Sequence, residues 1–320
     1  MLEFLTAFVV ALVLTGLVIP VLRSAPFMDV PNDRSSHTLP VPRGGGLAVV
    51  LGMILVASFT VDLQSTVVVL LVATGLLAAV GIIDDVRSLS STLRLLSQVA
   101  TATAVAGLLI RFSDASWWWL PVLVVGIVGY VNAFNFMDGV NGISGLTALV
   151  VGLWWVWAGQ AEGHSILAGL GLVLAGAALG FLPWNAPNAK VFLGDVGSYG
   201  IGVFVAGLSA VAVTDGLPWH WAVVPLIVYG SDTAWVLLQR FRGGRSLTEA
   251  HREHVYQRLV DGGWTHVASA SLCAGTAAAV CFVTATAGNA VHWWAALTST
   301  LLVLAYLNAA RLARAFGGTS

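Results

Sequence analysis

Apolar stretches of about twenty residues recur from one end of this chain to the other, each broken by a short polar segment, and that length suffices to cross a bilayer as a helix. The pattern predicts eleven such helices, at roughly 4–22, 44–61, 66–83, 95–111, 117–135, 143–159, 165–182, 198–213, 218–238, 266–286 and 290–310. The first segment, "MLEFLTAFVVALVLTGLVIPVLR", has no basic lead-in and no small-residue cleavage site, so it reads as a retained span rather than a signal peptide. The expected fold is an all-α polytopic membrane protein, one integral-membrane domain over residues 1–320.

Composition sharpens that picture. The chain is 58% hydrophobic and 9% charged, where a soluble domain carries about a quarter charged residues. Lys and Arg collect in cytoplasmic loops. With the N-terminus outside, 13 of the 14 basic residues fall on the inner side, and only Arg111 does not. The expected topology is therefore N-out and C-in, in the inner (plasma) membrane. The two cysteines, Cys273 and Cys281, share the tenth span and read as small apolar fillers. Trp117–Trp119, Trp219–Trp221 and His292–Trp294 fall at the outer interface, as an aromatic belt does.

Under this topology the outer loops are short and plain, whereas the inner loops hold the polar chemistry. "GIIDDVRS" puts Asp84 and Asp85 side by side where the third span ends. Adjacent carboxylates repel, and acids prefer helix N-termini to C-termini, so something must offset both penalties. A divalent cation would do so, and hard carboxylate oxygens suit Mg²⁺. "NFMDGVNGISG" offers Asn135, Asp138 and Asn141 among glycines, and "VFLGDVGSYG" offers Asp195; alone, each reads equally well as a turn with a helix cap. "PRGGG" at 42–46 reads as a flexible entry into the second span or as a backbone nest for an anion. "AHREHVYQRL" sets His251 and His254 on one helical face beside Arg252, which suits a phosphate better than zinc, since no further His or Cys is near. Asp232 lies within the ninth span, where an acid faces a cavity or a partner.

Taken together, "DVPNDRSSHTLPVPRGGG", "GIIDDVRSLS", "NAFNFMDGVNGISG", "NAPNAKVFLGDVGS" and "AHREHVYQRL" resemble, in family order, the polyprenyl-phosphate N-acetylhexosamine-1-phosphate transferases, which share a fold with the peptidoglycan enzyme MraY. The resemblance spans roughly residues 29–260 and looks closest to the WecA/WbpL-like branch, whose members start O-antigen or other surface-polysaccharide synthesis. It implies transfer of a sugar-1-phosphate from a UDP-amino sugar to a membrane polyprenyl phosphate such as undecaprenyl phosphate. The products would be UMP and a polyprenyl-diphosphate sugar, and the site would lie at the cytoplasmic face. It implies Mg²⁺, with Mn²⁺ as a substitute, on Asp195, with Asp84 and Asp85 as an acidic pair that holds metal or deprotonates the lipid phosphate. It further implies Asp138 and Asn185 on the nucleotide side, Phe192 stacked on uracil, and His251, Arg252 and His254 on the diphosphate or sugar phosphate. Asn135, Lys190 and Arg94 would be binding neighbours, and a homodimer is compatible with it.

Two departures from MraY matter. Asn141 stands where MraY has a second acid, so it reads as a hydrogen-bonding neighbour. Arg252 and Glu253 stand where MraY has histidine, so a muramoyl-pentapeptide substrate is not expected. The donor sugar stays open among GlcNAc, FucNAc and QuiNAc. Two rival readings are an ion-coupled secondary transporter, for which the acids sit too near the surface, and an inactive scaffold, against which the intact acids speak.

Overall fold

The computed structural model describes residues 1–23, 27–29, 40–246 and 252–316. It is a helical bundle. Eight helices in chain order are α1 (Leu2–Leu22), α2 (Gly46–Thr60), α3 (Ser65–Arg87), α4 (Ser91–Phe112), α5 (Trp119–Met137), α6 (Ile143–Ala161), α7 (Ser165–Asn185) and α8 (Gly194–Thr214). After them come α9 (Trp219–Val223), a 3₁₀ turn (Val224–Leu226), α10 (Ile227–Arg242), α11 (Val255–Asp261), α12 (His266–Ala287) and α13 (Trp293–Phe316).

Among the described residues, ten helical segments are long and apolar enough to span a membrane, counting Trp219–Arg242 as one. The remaining expected span, the second, is the 15-residue α2, about 22 Å long against a hydrocarbon core of about 30 Å. It begins at Gly46, two residues after the expected start at 44, and the residues before it are bonded to other parts of the chain. Val41–Pro42 pairs antiparallel with Met28–Asp29, a two-residue ladder that periodicity alone did not predict. Gly45 and Gly46 then donate their N–H groups to the carbonyls of Phe192 and Leu193, at 2.9 and 2.8 Å. "PRGGG" is thus a splice onto the segment before α8, and the anion-nest reading of it is corrected: three of its N–H groups, those of Arg43, Gly45 and Gly46, are already spent on protein carbonyls. The ninth span breaks at Pro225, which has no N–H to continue a helix.

The hub is α8, with 18 of its 21 residues buried. Its sequence, "GDVGSYGIGVFVAGLSAVAVT", is rich in Gly, Ala and Ser, which let neighbouring backbones approach closely. It packs chiefly on α3 and α5, while α6 lies on α7 and α7 on α1. The ends of α3, α5, α7 and α10 and the starts of α4, α6, α8 and α12 gather at one end of the bundle. At the other end the short connections tie to one another, as where Trp221 Nε1 donates to the Gly288 carbonyl (3.2 Å) and Asn289 Nδ2 to Glu162 (2.7 Å). The segments that hold the polar motifs therefore share one face.

Candidate active site

The site grows from a close approach of two helices. Gly81 lies one turn before Asp85 on α3, and a Cβ there would land on the main chain of Asp195 and Val196, at 2.5 Å from Val196 N. Only glycine lets the N-terminus of α8 come so near. Asp85 then caps that terminus from outside: its Oδ1 accepts the N–H of Asp195 (3.2 Å) and its Oδ2 the N–H of Val196 (3.1 Å). A carboxylate at a helix N-terminus satisfies orphan donors and meets the positive end of the macrodipole. Arg43 adds a cation, with Nη2 donating to the Asp85 carbonyl (2.8 Å) and Nε 3.9 Å from its Oδ1.

Asp84 faces a different set of donors. Its Oδ1 accepts the N–H of Leu89 (2.8 Å), closing the C-terminal turn of α3, and its Oδ2 accepts the Tyr199 hydroxyl (2.8 Å). Arg94 Nη1, from the first turn of α4, lies 3.5 Å from that same oxygen. Both penalties on the acidic pair are thus offset in large part by the protein itself: a helix N-terminus, two guanidiniums and a phenol. Asp195 is more open. Asn135 Nδ2 donates to its Oδ1 (2.7 Å) and to Ser198 Oγ (2.9 Å), while its Oδ2 has no protein donor among the described residues. Asp195 is not the cap of its own helix; Asp85 is.

A second group forms where α5 ends and α6 begins. Ser144 donates to Asp138 Oδ1 at 2.6 Å. Asn185 Oδ1 accepts the Gly142 N–H (2.6 Å) and its Nδ2 donates to the Val191 carbonyl (3.1 Å), so it staples the Asp138 loop to the segment leading into α8. Asn141 Nδ2 does similar work on the Pro187 carbonyl at 2.9 Å. Burial pushes the Asp138 carboxyl up to about 6; the Ser144 hydrogen bond opposes this and the charge of Asp85 adds to it. For a carboxyl raised in the folded state the neutral form is favoured, so its contribution to stability falls as pH rises from the ordinary range through about 6. Ionised Asp138 exists mainly above that value. Ser144→Ala removes the donor that stabilises the carboxylate, so the acid limb attributable to Asp138 should move upward by about one pH unit. A pH–rate profile of both proteins checks this. A phosphate monoester titrates in the same region, so the displacement, rather than the limb itself, is diagnostic.

The third group is the segment after α10. His254 and Asp232 are both buried, with Nδ1 3.1 Å from Oδ1. Tyr256 donates to the Phe136 carbonyl at 2.9 Å, and its hydroxyl occupies the place a Cβ at Gly139 would need. The histidine segment is thereby fastened to the loop of Asp138. Gly139→Ala should drive Tyr256 off its seat and slow any chemistry that uses both loops by about tenfold, with a modest loss of Tm; steady-state kinetics and a melting curve check it.

Arg252, Lys190 and Phe192 have contacts of their own. Arg252 Nη2 pairs with Asp261 Oδ1 at 2.8 Å. Lys190 is exposed, with its ammonium 5.1 Å from the Trp184 ring centroid. Phe192 is half-buried and donates its N–H to the Pro42 carbonyl (2.8 Å). His251 lies outside the described residues. Sequence reasoning missed Arg43, Ser144 and Tyr199. Tyr199 carried a readable signal, since it stands four residues after Asp195 and so on the same helical face; Ser144 and Arg43 carried none, because their partners are six and 42 positions away.

Among the described residues no group of three or more His, Cys, Asp or Glu side chains is disposed to hold a metal ion. The donor chemistry nonetheless suits Mg²⁺, which binds through one or two carboxylates and completes its shell with water and substrate phosphates. Asp195, with one carboxylate oxygen left over, is the residue that fits.

Residues 67–213 match the family described as glycosyl transferase family 4. That stretch runs from α3 to α8 and includes Asp84, Asp85, Asp138 and Asp195. The chain is 28% identical over 286 residues to a probable undecaprenyl-phosphate N-acetylglucosaminyl 1-phosphate transferase of Bacillus subtilis, covering 83% of this chain and 80% of that protein. It is 29% identical over 283 residues to a decaprenyl-phosphate N-acetylglucosaminephosphotransferase of Mycolicibacterium smegmatis, covering 74% and 69%. A phospho-N-acetylmuramoyl-pentapeptide-transferase of Corynebacterium kroppenstedtii is 40% identical, but over only 104 residues, 31% of this chain and 26% of that protein.

Proposed function

We propose that the chain, whose residues 67–213 match glycosyl transferase family 4, transfers a sugar-1-phosphate, GlcNAc-1-phosphate or that of a related N-acetylated amino sugar, from a UDP-sugar to a polyprenyl phosphate. The observation that carries this reading is the meeting of Asp84, Asp85 and Asp195 at one end of a membrane bundle, with Asp85 holding the N-terminus that bears Asp195. A soluble nucleotide sugar and a lipid whose phosphate lies at the membrane surface can meet only at such a boundary. The relatives matched over most of the chain are named for N-acetylglucosamine, which favours GlcNAc among the donor sugars. The reading extends to the start of a cell-surface polysaccharide, of which O-antigen is one form, because a polyprenyl-diphosphate sugar is a membrane-held acceptor for further sugars.

In the proposed reaction an oxygen of the lipid phosphate attacks the β-phosphorus of the UDP-sugar, and the bond from that phosphorus to the bridging oxygen breaks, releasing UMP. Phosphoryl transfer of this kind asks for positioning and charge neutralisation. Mg²⁺ held by Asp195 would neutralise charge on the donor diphosphate. Asn135 orients the Asp195 carboxylate, while Arg94 and Arg43 place fixed positive charge beside the acidic pair. The second pKa of a phosphate monoester is near 6, so at neutral pH the attacking oxygen is largely ionised and needs no strong base. The distribution of Lys and Arg favours a site on the cytoplasmic side of the plasma membrane.

The test is UMP release from UDP-GlcNAc by the purified protein in detergent, with and without undecaprenyl phosphate and Mg²⁺. Release that requires both supports the reading. Silence with UDP-GlcNAc, UDP-FucNAc and UDP-QuiNAc alike would overturn it in favour of a scaffold or a transporter.

A further inference from the structure

Asp232 is fully buried in α10, ten residues before that helix ends, or roughly 15 Å along its axis. A carboxylate there is costly unless donors converge on it, and three do. Val255 N–H lies 3.1 Å from Oδ2, the Tyr306 hydroxyl donates to the same oxygen at 3.0 Å, and His254 Nδ1 is 3.1 Å from Oδ1. The donors come from three places: the start of α11, its cap residue and α13. Ser246 and Glu253 are tied to α10 by Arg240, whose Nη1 donates to Glu253 Oε1 (2.6 Å) and whose Nε donates to the Ser246 carbonyl (2.7 Å). His254 itself is 2% exposed, and its ring stacks on Tyr256 at 5.9 Å between centroids. The Tyr256 hydroxyl in turn holds the main chain just before Asp138.

We propose that Asp232 is a positioning residue of the site: through one carboxylate it caps α11 and fixes both the ring orientation and the proton position of His254. An ionised carboxylate only accepts, so the imidazole nitrogen facing it carries a proton. Nδ1–H is therefore the fixed end of the ring, and the direction of Nε2 follows from it. The same oxygen pair that orients the ring also holds the Val255 N–H, so ring and main chain cannot shift independently. The role assigned to His254 rests on the proposed transfer reaction; the pairing of Asp232 with its ring does not.

Two measurements on the full-length protein separate these. The first is histidine-selective ¹⁵N NMR in detergent, with His254→Gln used to identify the His254 signal among the seven histidines. The wild-type protein should show His254 protonated at Nδ1, and Asp232→Asn should shift that resonance. The second is a double-mutant cycle on UMP release. Asp232→Asn should lower kcat/KM by about tenfold in the wild-type background and by almost nothing in the His254→Gln background, because its effect passes through the ring. An unchanged His254 resonance in Asp232→Asn, or an equal fold-loss in both backgrounds, would overturn the proposal. Asp232→Glu keeps the charge and displaces it by one methylene, and it decides the same questions if the Asn variant does not fold. A wild-type protein without transferase activity would sink the proposed reaction alone, since the NMR comparison still decides the pairing.

Discussion

Asp195→Asn is expected to lower sugar-phosphate transfer by on the order of a thousandfold, the scale of losing one key electrostatic group in an active site, while leaving thermal stability almost unchanged. The reason lies in how little of the fold depends on that side chain. Its main-chain N–H is capped by Asp85 whatever side chain stands at 195, and among the described residues its carboxylate takes one protein hydrogen bond, from Asn135. An Asn oxygen accepts that bond equally well, so the variant loses charge and little else. Asp85→Ala should behave differently. It removes the acceptor of two N–H groups and leaves Arg43 beside an unpaired helix terminus, so both the transfer rate and Tm should fall, the latter in line with about 1–2 kcal/mol for a lost cap. Parallel kinetics and melting curves of the two variants distinguish them. Wild-type-like turnover in Asp195→Asn would remove that residue from the reaction.

Gly81→Ala is expected to abolish transfer and to destabilise the bundle markedly. A single methyl group would enter the space held by the main chain of Asp195 and Val196, and backbone cannot rotate aside as a side chain can. Overpacking of a tight interior commonly costs about 1–3 kcal/mol, and here it also pushes α8 away from Asp85. Gly75, less than two turns earlier on the same helix, is the control. A Cβ there meets only Ile54 Cδ1 at 3.7 Å, so Gly75→Ala should be neutral or mildly stabilising through helix propensity. Expression, Tm and UMP release of the two alanine variants test the pair together. Equal behaviour would mean that the α3–α8 approach is not what builds the site.

Some of this was legible along the chain. Hydropathy marked every long membrane helix, because burial in lipid leaves a twenty-residue run with no other composition open to it. It placed the start of α2 two residues early, since Gly45 gives its N–H to a carbonyl 147 positions further on. The motifs around Asp84, Asp138 and Asp195 stood out because acids are rare in such a chain, but what each carboxylate touches was not readable.

What the sequence determined by itself is therefore the class of molecule, the approximate place of its helices and the short list of polar residues, all properties of local composition and spacing. Only the tertiary structure decided how those residues divide their work. Asp85 caps the helix that bears Asp195, Asp84 answers to Tyr199 and Arg94, and Asp232 holds His254. The physical reason is that a hydrogen bond acts over about 3 Å, whereas these partners are between 10 and 115 positions apart in the chain. Such pairs are made only when glycine contacts and the packing of small residues bring distant helix ends to the same point.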